Sequence, residues 1–304
     1  MRVDGTSLLL AAAGTGLVVG VGVLMRGRSS GGKSGGGVQP PPASGVWVGP
    51  PLPGLPQGKG VFVRHVRHGG DPSLFTERCK WLGFKWVMLQ AIWQKPDSRD
   101  TVINDPVETA EYAAALRDAG ITPWVFGWPR PESKNIVQFV DAVERARSMA
   151  AAAGVVINPE APWFGMRTQA VQLMHALRQA MPSSSRIGMT SYGGGPPNVP
   201  AFPWSEFASA DFGVPQIYDT KHSLGPDYPQ RSVRRWIAGG YPVVVPAWGA
   251  SSAHTPAQML DIASRTPLPV SACCWWDLYW ILQSRGRANA VRDFVIPPPG
   301  TVMP

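Results

Sequence analysis

Eight short apolar runs punctuate the chain after its first sixty residues, at 60–66, 86–93, 121–128, 154–160, 186–192, 212–219, 241–248 and 270–276. Their starts lie roughly thirty residues apart, and each run is mainly apolar rather than alternating, the pattern of a strand buried on both faces. Between most of them the period changes to that of a helix. Ile136, Phe139, Val140 and Val143 share one face of 135–153, and Ala170, Leu173, Met174 and Leu177 share one face of 168–181. Asp71-Pro72, Ser133 with Asn135, and Thr255-Pro256 read as helix starts. Gly83, Gly120, Gly154 and Gly239-Gly240 read as helix ends before the next strand. The helix expected near 204–209 is short.

Eight strand–helix units in about 250 residues predict a TIM (β/α)8 barrel over residues 59–304. The rival is a doubly wound open sheet, which carries a glycine-rich phosphate loop after its first strand. Here the first run leads into RHVRHGGDP, which does not match. Pro123, Pro215 and Pro246 fall inside runs, and since a central strand needs its N–H groups, they are expected near strand ends or bulges.

The first sixty residues have a different texture. Residues 7–25 hold no charge, and nineteen residues of helix reach roughly 28 Å, enough to cross a bilayer core. A single transmembrane helix within 1–28 fits that length better than a cleaved signal peptide. Glycine, serine and proline then dominate 29–58, a linker that is flexible at first and stiffer later. The expected arrangement is a single-pass, membrane-anchored barrel that contacts the lipid bilayer through residues 7–25. Arg26, Arg28 and Lys33 follow the segment and only Arg2 precedes it, so the positive-inside rule would keep the barrel on the cytoplasmic side, which conflicts with an exported wall-acting domain; the side stays open, in a cell envelope or a virion.

Composition narrows the chemistry. Of 304 residues, 44% are hydrophobic and 16% charged, which supports a large core and excludes a disordered chain. The 28 Lys and Arg against 20 Asp and Glu give +8, favouring anionic partners such as wall polymer or lipid, but no nucleic-acid module is recognisable. Three cysteines build no disulfide framework and no zinc pattern, His65-x-x-His68 lacks a third ligand, and neither a metal nor another cofactor is expected. Cys273 and Cys274, adjacent in a strand, should face opposite sides. Ser191 with His222 or His254 makes no nucleophile elbow.

A barrel of this kind keeps its active site at the C-terminal ends of its strands. Those ends carry Arg64, His65 and His68; Gln90 and Trp93; Trp128; Asn158 and Glu160; Tyr192; Gln216, Tyr218 and Asp219; Trp248; and Trp276 and Asp277. Indole faces stack on sugar rings while amides and carboxylates bind hydroxyls, so a carbohydrate groove is expected, with polysaccharide or peptidoglycan as partner. Glycoside hydrolysis needs an acid and usually a second carboxylate. Glu160, beside Pro159 and Trp163, is the candidate acid, against the alternative of a salt-bridged or helix-capping carboxylate. Asp219 is the candidate second carboxylate, against a loop residue paired with Lys221, and Asp277 is a third candidate, favoured as a substrate-binding or structural group. Gln90, Trp93, Trp128, Asn158, Tyr192, Gln216, Tyr218, Trp248, Trp276 and Asp277 are the expected substrate-binding set.

The strand-end segments INPE, TSYGG, VPQIYD and WWD, within roughly residues 60–282, resemble the lysozyme-type glycoside hydrolases of family 25 and their relatives. That resemblance implies a muramidase-like barrel acting on cell wall, with Glu160 as acid and Asp219 in support. It departs from the family's pattern twice. Asn158-Pro159-Glu160 stands where the family has Asp-x-Glu, and Arg64 and His65 stand where its first strand ends in Asp. Two functions are therefore expected in competition: a membrane-tethered glycoside hydrolase, and a catalytically inactive barrel that binds glycan or serves as a structural component with assembly partners in a virion or envelope.

Overall fold

The computed structural model describes residues 54–94, 101–218 and 224–297. Its elements are β1 (Gly58–Val63), α1 (Pro72–Trp81), β2 (Phe84–Gln94), β3 (Thr101–Ile103), α2 (Pro106–Asp118), β4 (Thr122–Trp128), α3 (Ser133–Met149), β5 (Gly154–Ile157), α4 (Arg167–Ala180), β6 (Arg186–Tyr192), α5 (Gly195–Asn198), α6 (Trp204–Phe207), β7 (Phe212–Ile217), α7 (Tyr228–Ala238), β8 (Ala247–Gly249), α8 (Pro256–Ser264), β9 (Ala272–Trp276), α9 (Leu278–Leu282) and α10 (Arg285–Asp293). Eight strands run parallel in the order β1-β2-β4-β5-β6-β7-β8-β9, and β9 pairs with β1 to close the ring. Only β3 departs from this, lying antiparallel on the end of β2. All eight apolar runs thus hold a barrel strand. The expected membrane segment 7–25, linker residues 29–53 and Asp219 lie outside the described residues, and Gly58, the last residue of the expected linker, opens β1. Among the described residues no helix is long and apolar enough to cross a membrane.

Strand alternation sorts the side chains into two cores. Phe62, Trp86, Met88, Trp124, Phe126, Val156, Phe212, Val214, Val243, Val245, Ala247, Ala272 and Cys274 fill the barrel. The larger set, including Val61, Leu89, Val125, Ile157, Trp248, Cys273 and Trp275, packs the strands against the helices. Cys273 and Cys274 do face opposite ways. The interior closes by pairing large with absent: a Cβ on Gly60 would lie 2.1 Å from the Trp86 ring.

Several local expectations hold for stated reasons. Asp71 caps α1 and Thr255 caps α8 with a reciprocal Gln258 bond, each before a proline at the first helical position. Others change. Residue Glu132, not Ser133, occupies the cap of α3, and its carboxylate accepts from the Asn135 side chain at 2.8 Å. Gly154 ends no helix: α3 stops at Met149 and Ala151 takes the left-handed turn. Gly154 sits in β5 because a Cβ there would stand 2.1 Å from the Arg186 carbonyl oxygen.

The seventh barrel strand is the most reduced. Only Ala247–Gly249 joins the ladder, with one separate bridge between Gly213 and Val244. The register Gln216↔Ala247 and Gly213↔Val244 sets Pro215 opposite Pro246, so the seam lacks its N–H donors just where the strand breaks. Pro123, by contrast, is the second residue of β4, near a strand end as expected.

Candidate active site

The upper end of the barrel is floored by aromatic rings. Half-buried Trp276, at the end of β9, packs edge-on to Phe62 at 5.1 Å and to Trp128 at 5.4 Å, and Trp128 packs on Phe126 at 5.2 Å. Trp93 reaches the same wall, 6.4 Å from Trp128. An irregularity between Gln90 and Ile92 makes this possible: it adds a residue to β2 and brings both Gln90 and Trp93 onto the inward face.

Above this floor the strand ends present polar groups. Glu160 follows β5 at the start of a short turn, Ala161–Trp163, which is pinned from beneath. Trp163 is fully buried and donates to the Pro129 carbonyl at 2.9 Å, and the Ser191 hydroxyl donates to the Pro159 carbonyl at 2.6 Å. The Gln216 amide spends both protons here, one on Asn158 Oδ1 at 3.0 Å and one on Glu160 Oε1 at 3.1 Å. Burial pushes the Glu160 pKa above the ordinary carboxylate value, and the opposing hydrogen bonds of Gln216 and Asn158 do not cancel it. Tyr192 and Tyr218 both stand close enough to feel the Glu160 charge, and burial, as the larger cause, raises both phenols. A buried carboxyl held by neutral amides keeps its proton more readily than an exposed one, the state that general-acid chemistry needs.

The opposite corner, where β1 meets β9, holds an ion pair. Arg64 Nε donates to Asp277 Oδ2 at 2.6 Å, and Asp277 Oδ1 accepts from the Trp280 N–H at 3.3 Å as the cap of α9. The Arg64 guanidinium lies 5.7 Å from the Trp276 ring centroid. Asn104 ties the corner together, donating to the carbonyls of Gln90 at 2.6 Å and Arg64 at 3.2 Å. His65 and His68 lie ring against ring at 4.9 Å on the exposed rim, and His68 touches Tyr279. Burial lowers both imidazoles; Arg64 adds to this at His65, and His65 at His68. Among the described residues no group of three His, Cys, Asp or Glu side chains gathers to hold a metal ion.

The structure thus brings Gln90, Trp93, Trp128, Asn158, Glu160, Tyr192, Gln216, Tyr218 and Trp276 to one end of the barrel. It corrects two of the expected binding residues. Trp248 is fully buried on the outer face of β8, stacked on Trp275 at 5.0 Å and donating to Thr266 at 3.0 Å, so it packs helices and reaches no ligand. Asp277 is 1% exposed with both oxygens engaged, so it holds Arg64 rather than a substrate. His254 pairs with neither Ser191 nor an acid. Its Nε2–H donates to the Tyr218 carbonyl at 3.2 Å, which leaves Nδ1 to accept from the Ser251 hydroxyl at 2.6 Å, a latch for the loop after β8. Arg64, read from the sequence only as a strand-end residue, pairs with Asp277 at the end of the neighbouring strand. Its position invited attention only for the acid it replaces, and its pairing with a residue 213 positions away leaves no local signal.

No family model matches this sequence, and no curated protein matches it. Solved structures do. A chitinase from Rhizomucor miehei aligns over 78% of this chain and 99% of its own, with TM-score 0.57 and 13% identity. The spore cortex-lytic enzyme SleL of Bacillus cereus aligns over 80% of this chain and 76% of its own, with TM-score 0.55 and 10% identity. Active domain 2 of a thermostable chitinase from Pyrococcus furiosus, solved with chito-oligosaccharides, aligns over 73% and 84%, with TM-score 0.53 and 11% identity. At these identities the likeness is one of fold, and the fold shared is the parallel eight-stranded barrel.

Proposed function

We propose that this protein is a glycoside hydrolase of a wall polysaccharide, peptidoglycan or a related N-acetylated glycan, with Glu160 as general acid. The observation that carries this is the Glu160 carboxyl, its pKa raised by burial, set among Gln216, Asn158, Tyr192 and Tyr218 over a tryptophan floor. A sugar stacked on Trp276 would lie at the same end of the barrel as that proton. The similar barrels named as chitinases and as a cortex-lytic enzyme support the substrate class. So does the lysozyme-type pattern of the strand ends. Asp219, next in sequence after Tyr218, is the proposed second carboxylate, which orients a substrate acetamido group or steadies the cationic transition state. The uncharged run 7–25 adds a membrane tether to the proposal, tested by protease protection in intact membranes.

The test is release of reducing ends from purified sacculi and from chitin by the full-length protein. Glu160→Gln is expected to lower the rate by roughly 10²- to 10⁴-fold while glycan binding remains. Equal rates would remove Glu160 from the mechanism. Binding with no release by the unaltered protein would support the second reading, an inert glycan-holding barrel. Asn158 favours that reading, since it supplies an amide where the resembling enzymes carry a carboxylate.

A further inference from the structure

The corner built by Arg64 offers hydrogen-bond donors in excess of acceptors. Its ion pair with Asp277 is made side-on, through Nε alone. Among the described residues the two terminal nitrogens make no hydrogen bond, and the side chain keeps 30% of its surface exposed. Their outer edge is the planar fork that matches a carboxylate with two parallel bonds. The next inward residue around the ring is Gln90, which follows the Val63↔Leu89 pair as Arg64 does. Gln90 is 2% exposed, and its Nε2 has no partner although it is enclosed by protein. An unsatisfied buried amide is costly unless something binds it. Asp277, the one carboxylate at this corner among the described residues, is already neutralised and shielded. A hydroxyl takes one bond from the exposed Arg64 fork, whereas a carboxylate takes two in parallel.

We infer that Arg64 and Gln90 form an anion-reading subsite for a carboxylate carried by the sugar that stacks on Trp276. The substrate is then an acidic glycan, bearing a uronic acid or a lactyl ether, rather than a neutral one. This rests on the carbohydrate reading of the cleft and deepens it, because the guanidinium lies 5.7 Å from the ring on which that sugar would sit. Arg64 acts here as a specificity determinant, and Asp277 is the positioning residue that orients it.

The experiment compares ligands that differ in one group, using full-length protein carrying Glu160→Gln so that nothing is turned over. The first pair is peptide-free strands of alternating N-acetylglucosamine and N-acetylmuramic acid against chito-oligosaccharide of equal length. The second is an oligoglucuronate against its carboxyl-reduced form. Calorimetry should show the acidic member of at least one pair binding roughly tenfold or more tightly, and which pair shows it identifies the source of the carboxylate. Arg64→Gln should erase the preference while neutral-sugar binding stays. Since that change can strand a buried Asp277, Arg64→Gln with Asp277→Asn provides a variant without the lone charge. Equal affinity within both pairs, or a preference that survives loss of Arg64, overturns the subsite and leaves the sugar-binding reading intact. Failure of all four ligands to bind overturns both.

Discussion

Glu160 is held in a setting that works against its own ionisation. Burial raises its pKa above the ordinary 4.5, so the folded protein binds its proton more tightly than the unfolded chain does. Below pH 4.5 both states carry the proton and the residue is neutral for stability. Between 4.5 and the higher folded-state value the unfolded chain ionises while the folded protein keeps its proton, so stability is lost as pH rises toward that value. Thermal melts of Glu160→Gln and the unaltered protein should therefore coincide at low pH and separate as pH rises, with the variant the more stable. A gap that is constant with pH would show that burial does not tune this carboxyl. Glu160 was legible because it ends an apolar run beside Pro159. The face on which each tryptophan lies was harder to read, because runs apolar on both sides give alternation no contrast. Counting inward from Val243 and Val245 puts Trp248 outside the barrel, whereas Trp128 and Trp276 share parity with the inward-facing Phe126 and Cys274. Trp248→Ala is accordingly expected to cost about 3–5 kcal/mol of stability in denaturant titrations. Trp276→Ala should instead weaken glycan binding, with a smaller effect on stability because the ring is half exposed.

At the level of strands and helices, the sequence disclosed where each element lies better than where it stops. The thirty-residue rhythm is a property of the whole unit and survives local exceptions. Ends depend on contacts made by distant chain. Gly120 and Gly154 show the difference, since both precede or begin a strand and read alike in sequence. Gly120 has φ 72° and open space around its Cβ position, so alanine there meets only a backbone penalty of about 1–2 kcal/mol. Gly154 has no such dihedral, but its Cβ would strike backbone of the neighbouring strand β6. Gly154→Ala should therefore destabilise by more than Gly120→Ala in parallel denaturant titrations, and the reverse order would refute the close-packing account of β5. The prolines follow the same logic. Pro215 and Pro246 lie 31 residues apart in sequence, and only the register of β7 on β8 shows that they face one another and shorten the seam.

The whole molecule is closed by its first and last strands, Gly58↔Ala272 through Val61↔Trp275. Lys59 reinforces the closure from outside: its Nζ donates to the carbonyls of Val291 and Arg292, both at 2.8 Å, at the end of α10. Burial lowers the pKa of this amine, and the nearby Cys273 and Asp293 partly restore it. Removing residues 285–304 should abolish a single cooperative unfolding transition, because it strips the carbonyls that satisfy Lys59 and uncovers the seam. A shortened protein that melts as sharply as the full chain would show that α10 is dispensable. The same arrangement sets a timetable for synthesis. About 200 residues separate β1 from β9, so at 5–20 residues per second the leading edge emerges roughly 10 to 40 seconds before its mate. During that interval a growing chain displays a raw sheet border to every other growing chain nearby. Whatever covers that border until β9 arrives protects the unfinished barrel from pairing with the wrong strand.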